Sequence, residues 1–209
     1  MDTRELWRID PESSTLRFSL RHKVLGRLAG QFDCWGGRIL FDRADPKRSV
    51  VRIWVDLSSI DTGSEARDEQ ILNTPLFDVR SEPALVFDSE LVDIDDAWHA
   101  AVAGSLTLQC IRKRIVVEIE ASIPGGAGGG AHSFVVTGHA SISRAAFGLR
   151  QVRGLGELLS DALLGDQIEI VAKIEAARDH AAAVSLPITP RDFQEMARRT
   201  GGTPPSLET

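Results

Sequence analysis

The chain has 209 residues, of which 43% are hydrophobic and 26% charged, and its formal net charge is -6. That length suits one well-buried domain with appendages better than two domains, and the acidic balance argues against a nucleic-acid binder, whose affinity rests on surplus Lys and Arg facing phosphates. No segment approaches the roughly twenty apolar residues of a membrane span, and residues 1–8 lack the apolar run of a signal peptide, so the chain as written reads as soluble and cytoplasmic.

Along most of the chain apolar and polar residues alternate with a period of two, the mark of strands with one buried face. Residues 15–22 put Leu16, Phe18, Leu20 and His22 on one face and Thr15, Arg17, Ser19 and Arg21 on the other. The next expected strands cover 28–41, with a bulge or bend at Gly36 and Gly37, and 49–57. Thr62 and Glu65 have capping-box spacing, and good helix formers continue over 65–72 until Pro75 stops them. Further strands are expected over 84–92, 98–109, 115–123, 132–143 and 168–176, with Arg112, Lys113 and Arg114 at the turn before 115–123. A second, weaker helix is expected over 157–164. The glycine-rich run at 125–130 lacks the Lys-Ser or Lys-Thr ending of a phosphate loop and reads as a hairpin connection. After 177 the pattern stops: Pro187, Pro190 and the polar end at 201–209 mark an extension, with one short helix over 190–199 capped by Thr189.

Eight half-buried strands joined mostly by short loops predict an all-β antiparallel sandwich or closed barrel, which alternation alone does not separate. A barrel of about eight strands is either filled by side chains or holds one small ligand. The inward candidates Val51, Ile53, Val55, Val102, Ile119, Val136 and Ala172 are small or medium, which suits a lined cavity; a packed core is the plain alternative. His22, on an apolar face, is either a structural hydrogen-bonding residue or a contact for a ligand head group. Arg144 shares the parity of Phe134, Val136 and Ile142, and an inward Arg needs a carbonyl or anionic partner: Asp161, Asp166 or a ligand phosphate. Arg67 and Asp68 either bond neighbouring loops or sit at a pocket mouth. His132 and His139 would face opposite sides of one strand, so no metal is expected. Gly154 and Gly156 fall short of a dinucleotide fingerprint, there is no serine nucleophile elbow, and no cofactor is expected. Cys34 and Cys110 read as free thiols.

Six stretches together, by order and spacing, resemble the YceI-like domain family over about residues 6–177. They are Trp7-Arg8-Ile9-Asp10 with Ser13 and Ser14; the strand ending in His22; Gly30-Gln31-Phe32 followed by Gly37-Arg38-Ile39; Ser59-Ile60-Asp61-Thr62-Gly63 leading to Arg67-Asp68; Gly104-Ser105-Leu106-Thr107-Leu108; and Ser143-Arg144-Ala145-Ala146-Phe147-Gly148. The chain departs from the family pattern at Gln70, Leu76, Cys110 and Arg114, where His, Phe, Gly and Pro are common.

The resemblance implies an eight-stranded antiparallel lipocalin-like barrel over 1–177, with one or two short helices and a C-terminal extension at 178–209. Such barrels are often homodimeric and hold polyisoprenoid or similar long-chain lipids, and many relatives are exported to the periplasm. Phe18, Leu20, Ile119 and Val136 are then candidate ligand-lining residues, and His22, Arg144 and Arg67 candidate polar contacts. The leading expectation is a protein that binds, sequesters or transports an isoprenoid, quinone precursor or fatty-acyl lipid, not an enzyme. The rivals are a barrel enzyme of isomerase or cyclase type and a stress-related interaction module.

Overall fold

The structure, a computed structural model, describes residues 4–73, 84–96, 98–122, 133–149 and 163–178. The described residues form eleven strands and one α-helix: β1 (Arg4–Ile9), β2 (Thr15–His22), β3 (Gly26–Phe32), β4 (Trp35–Asp42), β5 (Val50–Asp56), β6 (Ile60–Asp61), α1 (Glu65–Leu72), β7 (Ala84–Ile94), β8 (His99–Leu108), β9 (Ile111–Ser122), β10 (Ser133–Ser143) and β11 (Leu164–Arg178). Hydrogen bonding runs β1-β4-β5-β7-β8-β9-β10-β11, and β11 returns to β1, closing an eight-stranded antiparallel barrel. Closure removes the free sheet edges that invite pairing with other chains.

Closure depends on β11, whose edge opposite β10 first takes β2 (Leu164 opposite His22 through Lys173 opposite Thr15) and then β1 (Ala176 opposite Ile9, Arg178 opposite Trp7). Thus β1 and β2 are two halves of one bent strand. β3 with β4 and β5 with β6 pair alongside them in the same way, so eleven segments make eight staves. At the first bend the ladder is interrupted and a side chain repairs it: the Ser14 hydroxyl accepts from the Glu175 N–H at 2.9 Å, and the Asp10 N–H donates to the Glu175 carbonyl at 2.8 Å. A buried backbone donor without such a partner would cost about as much as a lost hydrogen bond.

Side chains of one parity line the interior. Leu16, Ile39, Val55, Ala172, Ile174 and Ala176 pack with Trp7, Ile9 and Trp35 into one cluster, and Phe87, Val92, Val102, Leu106, Leu108 and Ile142 with Leu57, Phe147 and Leu149 into a second. Gly30 on β3 faces Phe18, its partner on β2. A Cβ at Gly30 would lie 2.6 Å from Phe18 Cζ and 2.8 Å from the Asp61 carbonyl oxygen, so the ring is laid across bare backbone there. Gly30→Ala should therefore destabilise the barrel by about 1–3 kcal/mol, the usual cost of overpacking, measured by chemical denaturation; an unchanged midpoint would contradict this packing.

Several sequence expectations are corrected. Residues 4–9 form a strand that alternation did not mark. The turn between β8 and β9 is Gln109 and Cys110, with Gln109 at φ 52°, so Arg112, Lys113 and Arg114 lie within β9 and not at the turn. The Thr62–Glu65 capping box does not form: Ser64 precedes α1 without a side-chain cap bond, and Asp68 Oδ1 instead accepts from Thr62 N–H at 3.0 Å and from its hydroxyl at 2.5 Å. The break in the long 28–41 reading falls at Asp33 and Cys34 and not at the glycine pair. Cys34 is buried, Cys110 is exposed, and neither is in a disulfide. The expected helix over 157–164 falls outside the described residues except for its end, where Leu164 begins β11. The helix over 190–199 lies wholly outside them.

At the β7–β8 hairpin, Asp96 Oδ1 accepts from the backbone N–H of Trp98 (2.7 Å) and His99 (2.9 Å), and the carboxylate lies 3.0 Å from His99 Nδ1. The hydrogen bond that protonated His99 donates to Asp96, then the carboxylate's charge, raises the His99 pKa above the ordinary 6.5. A raised folded-state pKa favours the hairpin fully below 6.5, and that contribution fades as pH rises through the raised value. NMR titration should place His99 above 6.5, and Asp96→Asn should return it; an unmoved midpoint would contradict the pairing.

Candidate functional site

Strand register defines which side chains see the interior. Gly138 opposes Ile119 on one side and Ala172 on the other, Val136 opposes Ala121 and Ile174, and Ala172 opposes Leu16, so Ile119, Val136 and Ala172 share the inner face across three adjoining strands. Leu16, Phe18 and Leu20 continue that face on β2 through their pairing with Ala172, Ile170 and Ile168. Four of the seven sequence-predicted residues, Phe18, Leu20, Ile119 and Val136, are therefore brought to one interior.

That interior is not uniformly dry. Phe18, Ile53, Ile119, Val136 and Ile170 face inward at mid-strand, yet each stays only partly buried. The two core clusters meet through Phe32, Ile53, Leu85 and Ile170, again only partly buried. An inner apolar face that keeps some accessible surface therefore lies where the two packed clusters meet.

Two of the polar candidates, His22 and Arg144, sit at the end of the barrel where β2 ends and β11 begins, whereas Arg67 lies apart on α1. His22 is 2% exposed, and its Nδ1 accepts from the backbone N–H of Val24 (3.1 Å) and Leu25 (3.0 Å), tying down the β2–β3 turn. Accepting at Nδ1 leaves the ring proton of neutral imidazole on Nε2. Arg144 is 5% exposed and follows the last residue of β10; its Nη1 donates to the Gly165 carbonyl (3.2 Å) and its Nη2 to the Leu149 carbonyl (2.9 Å), while its backbone N–H donates to the Asp166 carbonyl (2.8 Å). The bond to Gly165 staples the 144–149 turns to the start of β11, and the bond to Leu149 closes the turns on themselves. Arg67 lies on α1 and donates to the Thr62 hydroxyl (2.8 Å) and carbonyl (2.7 Å), which fixes the entry of the helix beside β6. Asp161 lies outside the described residues.

Two features were not found in the sequence. At the opposite end of the barrel, Glu5 Oε1 is held by Arg43 and Arg178, each at 3.1 Å, while Glu5 Oε2 and Trp7 Nε1 are buried with no hydrogen-bond partner. Such orphaned atoms are few in native proteins. The second is a cleft of about 750 Å³ between β9 and β10, bordered by Lys113, Arg114, Ile115, Val116, Ser141 and Ile142 among others. Its sequence signal is Lys113, which shares parity with the inward-facing Ile115 and Val117. Among the described residues no group of three or more His, Cys, Asp or Glu is placed to hold a metal, and no helix is long and apolar enough to cross a membrane.

A closed eight-stranded antiparallel barrel with an apolar inner face is the lipocalin-like class of fold. Within that class the chain belongs to the YceI-like domain family, whose model matches residues 7–176. It is 22% identical over 174 residues to the UPF0312 protein of Pseudomonas paraeruginosa, covering 82% of this chain and 86% of that one. Among solved structures it is similar to BcnA of Burkholderia cenocepacia (TM-score 0.70, 20% identity, 81% of this chain and 99% of that chain). It is also similar to a polyisoprenoid binding domain from Saccharophagus degradans implicated in plant cell wall breakdown (TM-score 0.63, 16% identity, 83% and 98%). At these identities the structural likeness carries the fold alone.

Proposed function

We propose that the protein binds one elongated apolar molecule, a polyisoprenoid, quinone precursor or fatty-acyl lipid, along the barrel lumen, and so sequesters or carries it. The observation that carries this reading is the accessible inner face at Phe18, Ile53, Ile119, Val136 and Ile170 inside a closed wall. The Saccharophagus degradans domain, a polyisoprenoid binder of the same fold, supports the ligand class. Burying a chain there releases about 0.8 kcal/mol per methylene, so a few isoprene units outweigh the cost of ordering them. Phe18, Leu20, Ile119 and Val136 contact the chain. His22 and Arg144 shape the end at which it is held, with Arg67 apart from them on α1. The unit that binds is the barrel, residues 1–177, with residues 178–209 an appendage to it, and two copies associate as a homodimer.

Organic extraction of the purified protein followed by mass spectrometry tests the reading. The expected result is a prenyl or acyl lipid near one per chain, or stoichiometric uptake of added farnesol or oleate by protein purified empty. Protein that is empty and takes up neither would overturn it.

A further inference from the structure

The ladder between β9 and β10 stops early. It pairs Val135 with Ser122 through His139 with Glu118 and goes no further. Neither strand ends there, because β9 stays paired with β8 down to Ile111 and β10 stays paired with β11 up to Ser143. Continued in register, Ala140 would meet Val117, Ser141 would meet Val116 and Ile142 would meet Ile115. In place of those pairs stands the cleft of about 750 Å³.

The residues around that cleft come from both faces of the wall. Ile115 and Ile142 have lumen parity and belong to the second core cluster or pack against it, whereas Val116 and Ser141 point outward. One cleft thus borders residues of both faces of two neighbouring strands, and the buried Ile142 and Phe147 close its inner side. Val116 is 53% exposed and Lys113, of lumen parity, is exposed too, as expected where the wall is open. The floor is apolar, with Phe147 beside Ile115 and Ile142, and so continues the chemistry of the lumen.

The rim decides what kind of molecule fits. At the Ile111 end stand Lys113 and Arg114. Arg114 reaches Glu90 only at 3.7 Å, wider than a charge-assisted hydrogen bond, and Lys113 has no ion pair among the described residues. At the far end stands Glu118, beside His139, and midway along the rim Glu169 takes a hydrogen bond from Ser141 (3.0 Å). A molecule lying across this wall has its apolar part drawn inward and any negative charge drawn to the Lys113 end.

From this we infer that the gap between β9 and β10 is a side doorway to the lumen, and that the anionic head of a single-chain lipid rests there against Lys113 and Arg114 while its tail passes Ile115, Ile142 and Phe147 into the barrel. The inference rests on the lumen reading and deepens it: it names the head-group chemistry and the route. No covalent step is involved.

Two measurements test it on the full-length chain. First, oleate and oleyl alcohol are titrated against the wild type and against Lys113→Ala/Arg114→Ala. The expected result is about a tenfold loss of oleate affinity with oleyl alcohol changed by less than about twofold. Equal change for both, or none, overturns the doorway while leaving lumen binding intact, whereas a wild type that takes up neither probe overturns the lumen reading and the doorway with it. Second, Val116→Cys in a Cys110→Ser background is labelled with bimane and mixed with nitroxide-bearing stearates. Quenching should be stronger for a nitroxide near the carboxylate than for one near the methyl end; the reverse order overturns the placement of the head.

Discussion

Ile119→Trp will abolish capture of long-chain lipids and leave the barrel folded. Ile119 lies opposite Ala100 on β8 and Gly138 on β10, so its neighbours on both sides are small. A Cβ added at Gly138 would come within 3.2 Å of Val117 Cγ1 and 3.3 Å of Ile119 Cδ1, which shows both side chains leaning over the bare backbone and into the lumen. With the lumen open as proposed, an indole there takes the room of roughly four methylenes. At about 0.8 kcal/mol each, that is a loss of about 3 kcal/mol, or more than a hundredfold in affinity. Fluorescent-probe displacement measures the affinity, and a thermal melt reports the fold. A filled interior predicts the opposite pattern: unchanged binding and a destabilisation of about 1–3 kcal/mol from overpacking.

Arg144→Ala should act on stability and not on head-group choice. Its guanidinium donates to the carbonyls of Gly165 and Leu149, among its contacts, and the side chain is almost wholly buried. Removal leaves a buried and a half-buried acceptor short of a donor and unpins the 144–149 turns from β11, at a cost of about 2–4 kcal/mol. For a chain of this size the melting temperature should fall by roughly 5–15 °C. Affinity per folded molecule should change equally for oleate and oleyl alcohol. A selective loss of oleate would instead place the guanidinium on the ligand, and would sit badly with the geometry of its bonds.

These two residues show how far the sequence reaches. The parity of Ile119 was legible, because β9 alternates cleanly between the interior and water. The parity of Arg144 was legible as well, but its partners were not, since they depend on where β10 ends and on how the following turns fold back onto β11. The first strand was hidden for a different reason: Leu6 and Trp7 are both buried, on opposite faces, and Glu5 occupies an inward position, so no apolar-polar alternation exists to read. The bends that split three staves into paired segments are also invisible locally, because Ser14 replaces a ladder bond only once Glu175 is brought beside it from across the chain. The cleft needs still more: a missing pairing is a property of two strands, and nothing in either strand alone announces it.

The central claim is that the middle of the barrel is apolar and unfilled. NMR of isoleucine-methyl-labelled protein titrated with a long-chain lipid tests it most directly, because Ile53, Ile119 and Ile170 face the interior while the fold is held by the ladders around them. The account predicts saturable shifts and contacts from the lipid chain to those methyls at one equivalent. Methyl signals that stay fixed, or shifts confined to outward-facing residues, would contradict it.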